Sequence, residues 1–248
     1  MGVMGVILGD RHLLCDNQEN KSYLYVMKIA YIGTYPPREC GIGTFTQNLY
    51  HSMMMHETSK KGSAESFIVA MDDHDQTYNY PKEVKTTIRQ EHQRDYLEAV
   101  KFINVSGANI CILEHEFGIY GGEDGTYILP LLYRLEIPLI VTLHTILKTP
   151  SDHQKQVLQE ICQLADKVVV MSHKAIKFLT TIYQVKPEKI EYIEHGVPDI
   201  HYDQDKSKKE FKLENRKLLL TFGFISRNKG IETAIKALPL AVKKHPDI

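Results

Sequence analysis

The stretch MKIAYIGTYPPRECGIGTFTQNLY, residues 27–50, decides the fold that the sequence predicts. Its apolar run at 28–33 is typical of a short strand that is buried on both faces. A loop with two prolines follows, and the glycine pair Gly41 and Gly43 then opens a helix predicted over 43–55. A strand, a loop and a glycine-rich helix start form the opening unit of a parallel α/β sheet.

The alternation of strand and helix continues along the chain from this unit. Helices are predicted at 91–105, 124–135, 152–164 and 173–183. Runs rich in Ile, Val and Leu predict six further strands, at 66–71, 84–88, 109–114, 138–143, 167–171 and 190–194. The pattern predicts an α/β fold with a doubly wound, mainly parallel, Rossmann-like sheet.

Composition also marks out the parts of the chain that flank residues 27–197. Residues 1–26 have no sustained period and are expected to form a disordered extension, with an extra edge strand over 22–26 as the alternative. Residues 198–215 are polar and rich in lysine, which indicates a solvated linker. The pattern restarts in 216–248, and we interpret this part as the incomplete start of a second domain of the same kind.

In this last part the sequence predicts one strand and one helix. The strand is expected at 217–222, and the helix from about Gly230 to Lys244. Arg227 and Lys229 stand at the strand end beside the glycine that enters the helix, an arrangement that suits a diphosphate. A solvated basic turn is the alternative interpretation.

Composition and charge exclude several classes of protein. The 248 residues are 43% hydrophobic and 25% charged, which are ordinary globular values, and the net charge of -1 gives no basic footprint for nucleic acid. No run approaches the roughly 18 apolar residues of a membrane-spanning helix. The first residues lack the basic start of a secretory signal, and the four cysteines form no CxxC pair. We therefore expect a cytoplasmic protein without a nucleic-acid partner, and peripheral membrane contact stays open.

Ligands of open parallel sheets bind beyond the carboxyl ends of the strands, so the residues there are candidates for function. Gly41 and Gly43 would let backbone N–H groups approach a phosphate, whose charge the helix dipole favours. The pattern departs from the dinucleotide fingerprint because Thr46 stands at the third glycine position. A turn that needs glycine for its own backbone conformation is the alternative.

Histidine stands at the ends of four later strands, as His115, His144, His173 and His195. Each alone could be a packed or capping residue, but four at one edge favour a polar crevice for a sugar or nucleotide. A metal site competes with this interpretation, since imidazole binds zinc and iron. We expect no metal, because tight ligand spacing is lacking. Adjacent strands lie about 4.8 Å apart, so four separate strand ends need not converge on one ion.

The loop HEFGIYGGEDG, residues 115–125, follows one of these strands. Glu116 and Tyr120 are candidates for contacts with a polyhydroxylated ligand, although a structural hydrogen bond of Glu116 is equally open. Glu123 and Asp124 are expected to be N-terminal charges of the next helix.

Five motifs in this order resemble glycosyltransferase family 4. They are Pro36-Pro37 with Gly41-Ile42-Gly43-Thr44-Phe45, His115-Glu116-Phe117-Gly118, Thr142-Leu143-His144-Thr145, His195-Gly196-Val197-Pro198, and Gly223 with Lys229-Gly230. Members of this family are retaining enzymes of GT-B architecture, in which two Rossmann-like domains face each other across a cleft. The resemblance covers about residue 27 to the end. It implies that 27–197 is the acceptor-side domain and that 216–248 begins the donor-binding domain.

The resemblance also implies roles for single residues. Gly41 and Gly43 match the glycine loop near the donor diphosphate, and His144 matches a histidine beside the donor sugar. Lys229 matches the lysine that neutralises the leaving diphosphate, and Arg227 could replace an arginine that the family usually places where Phe224 stands. The acceptor and sugar cleft is expected to be lined by His115, Glu116, Tyr120 and His195.

The reaction so implied moves a sugar from a nucleoside-diphosphate sugar to an acceptor hydroxyl with retention, without metal or cofactor. The acceptor could be a glycan, a lipid-linked molecule or a small molecule. The family's glutamate-x7-glutamate motif would lie beyond residue 248, so we expect this chain alone to be inactive. Two alternatives stay open: a non-catalytic sugar- or nucleotide-binding protein, and an NAD-dependent Rossmann dehydrogenase with Asp72 or Asp73 at the ribose.

Overall fold

A computed structural model describes residues 27–58, 66–73, 78–197, 201–214, 216–221 and 229–245. Contacts divide the chain into two units, one through His195 and one from Gly196. The extension expected at 1–26 and the candidate Arg227 lie outside the described residues.

A seven-stranded parallel sheet forms the first unit. Its strands are β1 (Ile29–Gly33), β2 (Phe67–Asp72), β3 (Val84–Arg89), β4 (Ile110–His115), β5 (Leu139–Leu143), β6 (Lys167–Val170) and β7 (Ile190–Tyr192). Their spatial order is β3-β2-β1-β4-β5-β6-β7, so the direction of winding reverses between β1 and β4. This order confirms the predicted doubly wound, Rossmann-like sheet and puts its switch point between these two strands.

Every position of β1, β2, β4 and β5 is buried, as their unbroken apolar runs predict. Alternate residues of β1 belong to two separate apolar clusters. Ile29 and Tyr31 belong to the cluster that packs with Leu49 of the first helix, and Ala30 and Ile32 belong to the other cluster. Two clusters from one strand follow from the two-residue period of strand side chains, and they cover both faces of the sheet.

The helices of this unit are α1 (Gly41–Thr58), α2 (Gln93–Val105), α3 (Leu129–Leu132), α4 (Asp152–Leu164) and α5 (His173–Thr181). Short 3-10 turns cover Phe117–Ile119, Glu123–Ile128 and Pro187–Lys189. The helix predicted over 124–135 is only partly formed. Asp124 and Gly125 take φ values of 51° and 82°, which interrupt a regular helix, so Glu123 and Asp124 head a 3-10 turn instead.

The second unit contains α6 (Gln204–Glu210) and α7 (Ile231–Lys244). Helix α7 confirms the helix predicted from Gly230. Helix α6 lies within the predicted linker 198–215 and has no buried residue, and Asp203 caps it by accepting from the backbone N–H groups of Asp205 and Lys206 at 3.0 and 3.1 Å. The strand predicted at 217–222 is not formed in 216–221, where the described residues offer it no paired strand.

Candidate active site

The carboxyl ends of β1 and β4 meet at the switch point of the sheet. Gly33 ends β1, and a Cβ atom there would lie 3.0 Å from Glu114 Cβ and 3.4 Å from Thr46 Oγ1. The missing side chain therefore lets α1 and β4 approach β1 closely. In a dinucleotide fold a glycine in the helix permits this approach, whereas here the glycine is in the strand, which explains why Thr46 can stand in the helix.

The first turn of α1 contains both glycines of the predicted loop. A Cβ at Gly41 would meet no atom within 4 Å, whereas one at Gly43 would lie 3.4 Å from the backbone nitrogen of Tyr35. Neither glycine has positive φ, so the turn does not need them for its backbone conformation. Gly41 leaves the helix start accessible, and Gly43 lets the loop before it fold closely against the helix. The N–H groups of this turn lack partners inside the helix and can face an anion.

Glu114 and His144 form a buried pair next to this helix start. The side chain of Glu114 is 0% exposed, and its Oε2 atom lies 2.9 Å from Nε2 of His144, which is 12% exposed. Strand pairing brings them together, because Glu114 pairs with Thr142 and the backbone N–H of His144 donates to the carbonyl of His115 at 3.0 Å. Burial raises the pKa of the Glu114 carboxyl, and its hydrogen bond with His144 opposes that change.

Phe45 in α1 brings two of the strand-end histidines together. Its ring stands edge-on to His144 with 4.8 Å between ring centroids, and it lies 5.2 Å from the ring of His195. These histidines follow β5 and β7, so the structure gathers residues of three elements at one edge. Phe45 is part of the glycine motif, but the sequence predicted no role for it, although an aromatic residue two positions after Gly43 was a usable signal.

His115 and Tyr120 are buried in the structure, whereas the sequence predicted that they line the acceptor and sugar cleft. His115 is fully buried, its ring lies 6.1 Å from that of Tyr120, and neither of its ring nitrogens has a hydrogen-bond partner among the described residues. Burial lowers the pKa of His115 to about 3, so the ring is neutral. Tyr120 is buried too, and its hydroxyl donates to the backbone carbonyl of Glu114 at 2.7 Å. The loop after β4 folds back on the strand, so these side chains support the edge instead of lining a cleft.

Glu116 is half-buried and accepts a hydrogen bond from the hydroxyl of Thr145. This is the structural contact that the sequence left open. Together with the pair of Glu114 and His144, it ties the end of β4 to the residues that follow β5. A contact of Glu116 with a ligand stays a prediction.

His173 does not join this group. It begins α5, and its ring stacks on Tyr192 at 4.0 Å. Within the described part of the chain, Glu123, Asp124 and His153 are the group whose ligand atoms lie close enough for a metal, within 4.8 Å, and it includes none of the strand-end histidines. Nδ1 of His153 lies 2.8 Å from Asp124, and this hydrogen bond raises the pKa of the imidazole.

The two acidic residues at the end of β2 are already engaged by protein groups. Asp72 is buried and accepts from the hydroxyl of Tyr80 at 2.6 Å. Asp73 forms an ion pair with Arg38, whose Nη1 donates to the carbonyl of Met71 at 2.8 Å. These contacts disfavour the dehydrogenase alternative, which needs a carboxylate that is free for ribose hydroxyls.

In the second unit, Lys229 is exposed and directly precedes Gly230, the N-terminal flanking residue of α7. Gly230 has a φ of 63°, a left-handed conformation that glycine adopts readily. The role of Lys229 at a diphosphate stays a prediction.

Comparison with protein families tests the resemblance drawn from the motifs. The model of Glycosyltransferase Family 4 matches residues 113–199. That segment runs from the end of β4 past β7, and it contains the pair of Glu114 and His144 as well as His195. Residues 113–199 are therefore similar to glycosyltransferase family 4. The match agrees with the resemblance drawn from the three motifs that lie within this segment.

The comparison with solved structures supports the α/β fold. A solved structure of a glycosyltransferase from Rickettsia africae ESF-5 matches 90% of this chain with a TM-score of 0.60 and 14% sequence identity. The chain spans 63% of that protein's length. No curated protein matches the chain. Among the residues that the structure describes, no helix has the length and apolar character needed to cross a membrane.

Proposed function

We propose that this protein binds a nucleoside-diphosphate sugar and transfers the sugar to an acceptor hydroxyl with retention of the anomeric configuration. One observation carries the proposal. The open helix start at Gly41 lies at the same sheet edge as the buried pair of Glu114 and His144, and that pair belongs to the family 4 segment. A switch point of this kind is where α/β sheets bind nucleotide ligands.

Binding of the donor diphosphate is proposed at the first turn of α1. Free backbone N–H groups and the positive end of the helix dipole favour a negative charge there. Lys229 is proposed to neutralise the leaving diphosphate, as the family resemblance implies, and Arg227 to add charge nearby. The proposal needs no metal, since an ammonium and backbone amides supply the electrostatic stabilisation.

In the proposed reaction, the bond between the anomeric carbon and the diphosphate oxygen breaks, and a bond to the acceptor oxygen forms. The acceptor proton moves to the departing phosphate, so charge and atoms balance. His144 is proposed to lie beside the sugar, and His195 and Glu116 beside the acceptor. The acceptor class is a glycan, a lipid-linked molecule or a small molecule.

A transfer assay tests this function. A version of the protein with a complete donor-binding domain is incubated with UDP-, GDP- and ADP-linked sugars and a panel of hydroxyl acceptors, and the product anomer is identified by NMR. We expect transfer with retention from one donor class. Heat of binding in calorimetry without any product would support the non-catalytic sugar-binding alternative. Neither binding nor transfer with any donor would contradict both functions.

A further inference from the structure

The position of Glu114 is unusual for a carboxylate. It lies within the apolar strand ICILEH and is 0% exposed. Burying a carboxylate is unfavourable unless it is paired and hydrogen-bonded. His144 pairs with one carboxyl oxygen, Oε2, at 2.9 Å, and the other oxygen, Oε1, has no hydrogen-bond partner among the described residues. The absence of a side chain at Gly33 leaves the room for Glu114, because a Cβ there would also lie 3.4 Å from its Cγ.

This hydrogen bond decides which nitrogen of His144 is available to a ligand. The hydrogen bond with His144 favours the ionised form of Glu114 against the effect of burial, and an ionised carboxylate can only accept, so in that form Nε2 of His144 carries the proton. In the neutral ring, Nδ1 is then an acceptor, and no described residue forms a hydrogen bond to it. Phe45 stands edge-on to the ring at 4.8 Å and restricts its rotation. Glu114 and Phe45 therefore hold the imidazole in place, and its Nδ1 atom is available to a ligand.

We propose that Glu114 is a positioning residue, which holds His144 as the Nε2–H tautomer so that Nδ1 accepts a hydrogen bond from a hydroxyl of the transferred sugar. The identity of this ligand rests on the proposed function, whereas the state of the ring is a property of the protein alone. A carboxylate that served only to pack β4 against β1 would leave the tautomer of His144 unchanged when it is replaced.

The first test uses the ligand-free full chain and needs no substrate. The ¹⁵N NMR spectrum of the histidine side chains is recorded for the wild type and for Glu114→Met, which keeps the length of the side chain but not its acceptor. We expect one Nε2–H tautomer of His144 in the wild type and a mixture in the variant. The signal of His153, which pairs with Asp124, is the internal reference and should not move.

An unchanged tautomer of His144 in Glu114→Met would overturn the proposal. If that variant does not fold, the wild-type spectrum decides alone, because an Nδ1–H tautomer there would mean that Nε2 accepts from Glu114, which contradicts the inferred direction of the hydrogen bond.

The second test measures the coupling between Glu114 and His144 in the transfer reaction, with a version of the protein that has a complete donor-binding domain. Glu114→Met should lower kcat by about tenfold or more, with a smaller change in the KM of the donor. Glu114→Gln should restore part of the loss, since its amide oxygen can still accept from Nε2. In a His144→Ala background the Glu114→Met change should have no further effect, and an effect that multiplies would overturn the proposal. A wild type that has the expected tautomer but transfers no sugar would contradict the proposed function alone.

Discussion

At the scale of single residues, Gly33 matters for the space that it leaves and not for its backbone freedom. A Cβ there would meet Glu114 at 3.0 Å, closer than Cβ contacts normally come. We expect Gly33→Ala to lower the free energy of unfolding by about 1–3 kcal/mol, because the buried neighbours must shift. Denaturant unfolding measures this change. Gly118→Ala is the matched control, since its Cβ would meet nothing within 4 Å, and equal stability of both variants would contradict the close approach.

His115 supports a second prediction at this scale, about pH. Its folded-state pKa of about 3 lies below the ordinary value of 6.5, so between these values the unfolded chain binds more protons. The contribution of the neutral His115 to the free energy of unfolding is therefore complete above a pH of about 6.5. It is lost progressively as the pH falls toward 3.

His115→Leu should remove this acid sensitivity, because leucine does not titrate. The substitution also removes two buried nitrogens that lack hydrogen-bond partners among the described residues. Each unsatisfied buried group lowers the stability of the fold by about 1–3 kcal/mol. Denaturant unfolding at pH 7 and pH 5 checks both effects. We expect the variant to gain stability relative to the wild type on going to pH 5. Glu114 remains in both proteins, so the difference isolates His115, and parallel losses would contradict a neutral buried histidine.

The sequence located His144 and His195 at the sheet edge, but it could not show that His115 is buried. That outcome depends on the loop after β4 folding back, where the hydroxyl of Tyr120 reaches the carbonyl of Glu114. The role of Glu114 was missed, although a signal existed. An ionisable residue inside an apolar run that is buried on both faces requires a partner, and His144 is that partner.

At the scale of elements, the strands of the first unit were predictable because unbroken apolar runs bury both faces of a parallel sheet. The helix over 124–135 was not, because Gly122, Asp124 and Gly125 take positive φ values there. The strand predicted at 217–222 was also wrong for residues 217–221, since an apolar run forms a strand only when another strand pairs with it.

The start of α1 supports a prediction at this scale. Because Gly41 faces open space, Gly41→Asp should keep the fold, and an acidic residue in the first turn even favours the helix. The added carboxylate should weaken binding of a nucleoside diphosphate by about tenfold or more through charge repulsion. Calorimetric titration measures the affinity, and Gly41→Ser is the uncharged control. Equal affinity of Gly41→Asp and Gly41→Ser would remove α1 from the diphosphate site.

At the scale of the whole molecule, the proposed reaction also depends on the second unit. Lys229→Ala should lower turnover on the order of 10²-fold or more if the ammonium stabilises the leaving diphosphate. A steady-state transfer assay of a version with a complete donor-binding domain measures this loss. Lys236→Ala, in the exposed part of α7, is the matched control for removal of one surface charge from this unit. Unchanged turnover in Lys229→Ala would remove this lysine from the mechanism.

Hydrogen exchange measured by mass spectrometry, with and without a saturating nucleoside-diphosphate sugar, tests most directly where the donor binds. If the carboxyl edge beside the switch point is the binding site, the amides of 41–46 at the start of α1 and of 142–145 after β5 become protected when the donor is added. Protection confined to other parts of the chain, while these two segments exchange at unchanged rates, would contradict the site.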